Sequence, residues 1–133
     1  MLGGMKGTVR FQYDDANDIH FAYPQWHIET EDDCRVWYAQ FVSYFARLSR
    51  AVDVIIVLDD FHIGPKIGAV WGKYRAEWIK RYTRYSVRVR ADARVSTFNA
   101  TSAVKYGGGF EEAATIELAV GIIKARRFDD HVR

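Results

Sequence analysis

The chain reads as an α/β protein with a mixed central sheet of about four to five strands and about four helices. Three observations predict this. Segments with a two-residue apolar period alternate with segments of helical period along the chain. One segment, Val54-Ile55-Ile56-Val57-Leu58, is continuously apolar, as a strand covered on both faces requires. The length of 133 residues, with 49% hydrophobic and 27% charged, suits one domain with a sizeable core. No linker, repeat or low-complexity stretch divides the chain. The expectation is a single domain over 1–133, with its core at about 8–127 and a polar, frayed tail at 128–133.

Taken in order, Val9, Phe11 and Tyr13 alternate with polar residues from Thr8 to Tyr13, the period of a half-buried strand. Asp14 to Asp18 is a turn cluster, and Ile19 to Ile28 resumes strand chemistry as the second arm of a hairpin. Pro24 has no N–H to donate, which predicts a bend there or an edge position. Thr30 caps a helix through about residue 49, with Cys34, Trp37, Tyr38, Phe41, Phe45 and Leu48 as its apolar stripe. Val52 to Phe61 reads as the central strand, ended by Asp59 and Asp60.

A helix from about Gly68 to Tyr82 follows. Gly72 inside it lowers intrinsic helix stability by ~1 kcal/mol against alanine, and close packing of the helix on the sheet would account for it. Tyr85 to Ala91 alternates again as a strand. Asp92 caps a segment, 93–106, that fits either a helix or, through Val95, Thr97, Asn99 and Thr101, a strand. Gly107-Gly108-Gly109 ends it. Phe110 to Ala114 suits a short edge strand, and Thr115 caps a last helix through about Arg127.

The single cysteine, Cys34, excludes an internal disulfide or a four-cysteine zinc site and reads as a small buried core residue. No run approaches the ~18 apolar residues of a membrane span. Met1 to Lys6 lacks the apolar segment of a secretory signal, so a cytoplasmic location is expected. Asp59, Asp60 and His62, or His20 and His27 with nearby acids, lack the spacing of a metal site, so no metal or other cofactor is expected. Gly68-Ala69-Val70-Trp71-Gly72-Lys73 falls one residue short of a phosphate loop, and Tyr74 replaces its Ser/Thr.

The element order, the strand Val54 to Asp60 with its loop Phe61 to Gly68, the helix start Ala69-Val70-Trp71-Gly72 and the closing Thr115-Ile116-Glu117-Leu118-Ala119 together resemble the STAS domain. That fold is found in sulfate-transporter C-terminal domains and bacterial anti-sigma-factor antagonists. The resemblance covers about Thr8 to Arg127. It implies a STAS-like fold and a regulatory role through protein contacts. In such domains the loop carries a phosphorylatable serine. Here no serine or threonine lies between Asp59 and Gly72, and Pro65 and Lys66 occupy the place. A serine switch in that loop is chemically excluded.

Two surfaces are candidate sites. The first is the loop Asp59, Asp60, His62, Gly64, Lys66 and Gly68, at the carboxyl end of the central strand, where α/β sheets place ligands. The second is basic. Residues 1–62 hold five basic and ten acidic side chains, whereas 73–105 hold nine basic and two acidic ones. Lys73, Arg81, Arg84, Arg88, Arg90 and Arg94, interleaved with tyrosines, suit a nucleic acid. Otherwise these arginines pair with the acidic first half. The expected function is a non-catalytic, regulatory protein-interaction module of STAS-like type. Its partner is an unidentified protein or a second copy of the chain. The alternatives are a nucleic-acid-binding module on the basic 73–105 surface and a small-ligand or lipid-binding domain.

Overall fold

The computed structural model describes residues 7–132. The reading of Met1 to Lys6 lies outside them. Strand β1 (Thr8–Asp14) turns through Asp14–Asp18 into β2 (Ile19–Ile28), and the two pair antiparallel. The turn is held by Asp14, which accepts from the Asn17 amide and side chain, while Asp18 takes the left-handed φ of 53° that Asp tolerates in turns. Helix α1 (Glu31–Phe45) starts at a reciprocal capping box between Thr30 and Asp33. It stops short of residue 49, since residues 46–47 form a turn and 48–50 a bend.

Strand β3 (Val52–Val57) is buried along its whole length. Val54 and Ile56 face one core, Ile55 and Val57 the other, as a continuously apolar strand demands. The strand does not run to Phe61. Two adjacent carboxylates, Asp59 and Asp60, cannot both enter a covered sheet, so the chain turns outward there. Phe61 to Ile63 then forms a separate short strand, β4, paired parallel with the far half of β2.

Helix α2 (Gly68–Tyr82), strand β5 (Thr83–Val89), helix α3 (Ala93–Tyr106), strand β6 (Glu111–Ala113) and helix α4 (Ile116–His131) complete the fold. The sheet order is β1-β2-β3-β5-β6, with β4 beside β2, and every pairing but the hairpin is parallel. The strand order runs one way, so connections of one hand put α1, α2 and α3 on the same face. Trp37, Trp71 and Val95 of these helices share one buried cluster. Ala119 and Ile123 of α4 close the other face over Phe21, Ile55, Val57, Val87 and Val89.

Residues 93–106 are helical, with Asp92 accepting from the Val95 amide at 2.8 Å. Helix α4 continues through His131, so most of the expected tail belongs to it. Gly72 faces α3 rather than the sheet: a Cβ there would stand 3.1 Å from Ser102 Cβ, and one at Gly68 would overlap the Phe98 ring. One turn further along the same helix, Ala76 is also buried. Small residues at this spacing let α2 and α3 approach closely.

Pro24 lies neither at a sheet edge nor inside an unbroken ladder. On the side away from β1, β2 pairs with β3 through His20–Ala22 and with β4 through Trp26–Ile28. Pro24 occupies the gap between these two partners.

Cys34 is fully buried, and burial, with Asp33 and Glu31 nearby, pushes its thiol up to about 12. At pH 8 the native chain is therefore expected to leave a thiol-specific disulfide reagent unconsumed. One equivalent should react once urea unfolds it. Full reaction under native conditions would contradict the packing of α1 described here.

Candidate functional site

The partner change along β2 opens the sheet at the carboxyl end of β3. A cleft of about 210 Å³ lies there, and its lining includes Arg10, Tyr23, Pro24, Asp59, Asp60 and Arg90. The Arg10 guanidinium stands 3.9 Å from the centre of the Tyr23 ring. The Trp26 amide, next to Gln25 in sequence, donates to the Asp60 carbonyl at 3.1 Å. The position of the cleft follows from two local facts: proline cannot donate to a ladder, and Asp59-Asp60 cannot continue a buried strand.

Three pairs of exposed groups lie at or near this opening. Arg90 has the left-handed φ of 58°, uncommon for a residue other than glycine. That turn ends β5 and brings its Nε to 2.9 and 3.0 Å from the two Asp59 oxygens. The ends of β3 and β5 are thereby tied across one ion pair. His62 on β4 bonds through Nδ1 to Asp92 Oδ2 at 2.9 Å, and His27 Nε2 lies 2.7 Å from Glu29 Oε1. His27 and His62 are register partners, with ring centres 6.2 Å apart. Burial tends to raise the Asp92 carboxyl, but bonds from the Val95 amide and His62 outweigh it and hold the group below the ordinary carboxylate range.

The remaining loop residues fall around these pairs. The Gly64 amide donates to the Ile28 carbonyl at 2.7 Å and extends the β2–β4 pairing. Lys66 and Asp60 are exposed, whereas Gly68 is buried against α3. Among the described residues, no group of three or more His, Cys, Asp or Glu could hold a metal ion. His20, the other histidine considered, is in the core and bonds to the Tyr44 hydroxyl at 2.7 Å.

The basic segment is not one surface. Arg88 is 2% exposed, so it does not share an open face with Arg90. The face of β5 opposite Val87 and Val89 is covered by the α2–α3 layer rather than by water. Arg84 pairs with Asp53 at 3.3 Å, and Arg90 with Asp59, so two of the arginines meet acidic groups of the first half. Arg94 donates to the Ile63 carbonyl. Lys73 and Arg81 stay outside, near the Tyr106 and Tyr82 rings respectively.

Arg75 was not among the expected site residues, yet it is 1% exposed and lies beside Arg88. The signal for it was the row Gly68, Gly72 and Ala76 on α2. That row marks a second buried face on which Arg75 also falls. Among the described residues no helix is long and apolar enough to cross a membrane. No protein-family model matches the chain, and comparison with curated proteins finds no match. Fold and geometry thus define its class: an α/β protein with a mixed parallel sheet and a polar cleft at the end of its central strand.

Proposed function

We propose that the chain is a non-catalytic, regulatory protein-interaction module of STAS-like type, unable to be switched by serine phosphorylation in its 59–68 loop. Its docking surface is that loop together with His27, Glu29, Arg90 and Asp92. One observation carries this reading. Asp59–Arg90 lines the cleft, and His62–Asp92 and His27–Glu29 present further exposed polar groups in fixed positions along the adjoining β2–β4 pair. Exposed pairs of this kind add little stability, about 0–1 kcal/mol each. Polar groups already held in place lose less freedom on docking, which favours recognition. Pairing of Arg84 and Arg90 with acids, and burial of Arg88, leave fewer free cations for a nucleic acid, so the protein partner is preferred.

A photo-crosslinking residue placed at Lys66, and as a control at Lys124 on α4, tests the assignment in the native cell. The expected result is a protein captured from position 66 and not from 124. Its purified form should bind the chain, and His62→Ala should weaken that binding about tenfold, as loss of a central polar anchor does. Capture of nucleic acid at 66, or of a protein whose purified form is indifferent to His62→Ala and Lys66→Glu, would overturn it.

A further inference from the structure

Arg75 on α2 and Arg88 on β5 are two fully buried cations, and among the described residues no carboxylate is bonded to either. Arg75 donates from Nε to Asn99 Oδ1 at 2.7 Å, from Nη1 to Ser102 Oγ at 3.3 Å, and from Nη2 to the Gly109 carbonyl. Among the described residues Arg88 bonds to Ser86, its carbonyl at 3.0 Å and its hydroxyl at 2.9 Å. Every acceptor is neutral. Burial pushes Arg75 down to about 10, and burial together with the charge of Arg75 pushes Arg88 well below its ordinary range, although the charges of Glu112 and Glu111 act the other way. Two like charges in a dry layer are held at a cost that neutral acceptors offset only in part.

Two further features suit an anionic ligand at this place. Asn99 is 2% exposed, and among the described residues its Nδ2 has no acceptor although its Oδ1 is engaged by Arg75. A buried amide donor is thus left open beside the guanidinium pair. The nearest chain segment carries no side chains: a Cβ at Gly108 would stand 3.5 Å from Arg75 Nη1, and one at Gly109 3.7 Å from Arg88 Nη1. Gly107 and Gly108 have φ of 86° and 89°. Glu112 is the register partner of Arg88 on β6, yet it is exposed and forms no ion pair with it among the described residues. Glu111 is taken by Arg126 at 2.7 Å.

We propose that Arg75, Arg88 and the Asn99 amide form a binding site for a phosphate group, reached by displacement of the Gly109 carbonyl from Arg75. A dianionic phosphate matches two guanidiniums in charge, and its oxygens accept bidentate N–H pairs and the amide donor together. The site is separate from the 59–68 loop and does not rest on the function proposed for it. The ligand is inorganic phosphate or the phosphate of a small monoester.

The test is titration of the purified chain with inorganic phosphate and with glycerol phosphate, against chloride at equal ionic strength. It is read by calorimetry and by the amide resonances of Gly107–Gly109. Saturable binding that shifts those glycine amides is expected. Tighter binding of glycerol phosphate would identify a monoester as the ligand, and tighter binding of phosphate the free ion. Arg88→Lys keeps the charge but loses the fork, and should weaken binding about tenfold. Asn99→Asp supplies a built-in counter-charge: it should raise the melting temperature without phosphate and abolish the response to it. Absence of saturable binding by the unmodified chain would overturn the proposal, whether or not the variants fold. So would binding that leaves the glycine amides unmoved or survives both substitutions.

Discussion

Trp78→Ala is expected to lower the unfolding free energy by about 4 kcal/mol, the scale for truncating a buried indole. Trp78 is 1% exposed at the centre of the larger core. Its ring centroid lies 4.5 Å from that of Phe41 and 5.4 Å from that of Phe45, and Trp37 meets it edge-on at 6.4 Å. These partners come from α1, so truncation empties the seam between α1 and α2. Among the described residues its Nε1 has no acceptor, hence the loss is one of packing and no hydrogen bond is broken. Trp78→Phe keeps an aromatic ring and removes the unpartnered N–H, so it should cost less than half as much. Urea melts followed by far-ultraviolet circular dichroism, which does not depend on indole emission, give both values. A drop under about 1 kcal/mol for Trp78→Ala would mean that the α1–α2 seam is not packed as described.

How far such a core is visible beforehand depends on how many of its faces an element buries. β2 and α2 keep the ends their periodicity implies, since one apolar stripe sets each. The 52–61 run misleads because Leu58 and Phe61 are apolar and buried, yet they lie on either side of an outward turn that local hydropathy cannot mark. The loop pairs were invisible for another reason. Asp59 and Arg90, or His62 and Asp92, are thirty or so positions apart in sequence and meet only through the parallel pairing of β3, β4 and β5 with their neighbours.

Arg88 shows the sharpest limit. The alternation of β5 is real, and Val87 and Val89 do face α4. Polar alternation reports only that the two faces differ. It does not report that the second face meets water. Helices α2 and α3 cover that face, so its polar residues become an internal network: Ser86 and Arg88 on the strand, Asn99 and Ser102 above them, all buried. The clue lay on the helices, in the small residues that let them close over the sheet.

The opposite situation, a buried carboxylate with several donors, gives the second large effect. Asp53→Ala should cost about 3 kcal/mol and lower the melting temperature by on the order of 10 °C. Asp53 is 5% exposed where the β3–β5 register shifts, between the pairs Val52↔Thr83 and Val54↔Ser86. One more residue is used on β5 than on β3, and the Tyr85 amide donates to Asp53 Oδ1 at 3.1 Å in place of a backbone carbonyl. Oδ2 accepts from Arg127 at 2.7 Å, and Arg84 stands 3.3 Å from Oδ1. Arg127 in turn donates to the carbonyls of Asn17 and Asp18, each at 2.7 Å. One carboxylate thus joins the hairpin turn, the bulge and the last turns of α4. Its removal leaves a half-buried guanidinium and a buried amide unpaired. Arg84 is half exposed and recovers water, which keeps the cost at the lower end for broken buried pairs. Asp53→Asn retains an acceptor for Tyr85 and should lose about half as much. Hydrogen exchange separates the two contributions: Asp53→Ala should accelerate amides of both the 84–86 bulge and residues 124–131, whereas Arg127→Ala should accelerate only the latter. Unchanged exchange in α4 after Asp53→Ala would show that apolar contacts of Ala119 and Ile123 alone hold the helix on the sheet.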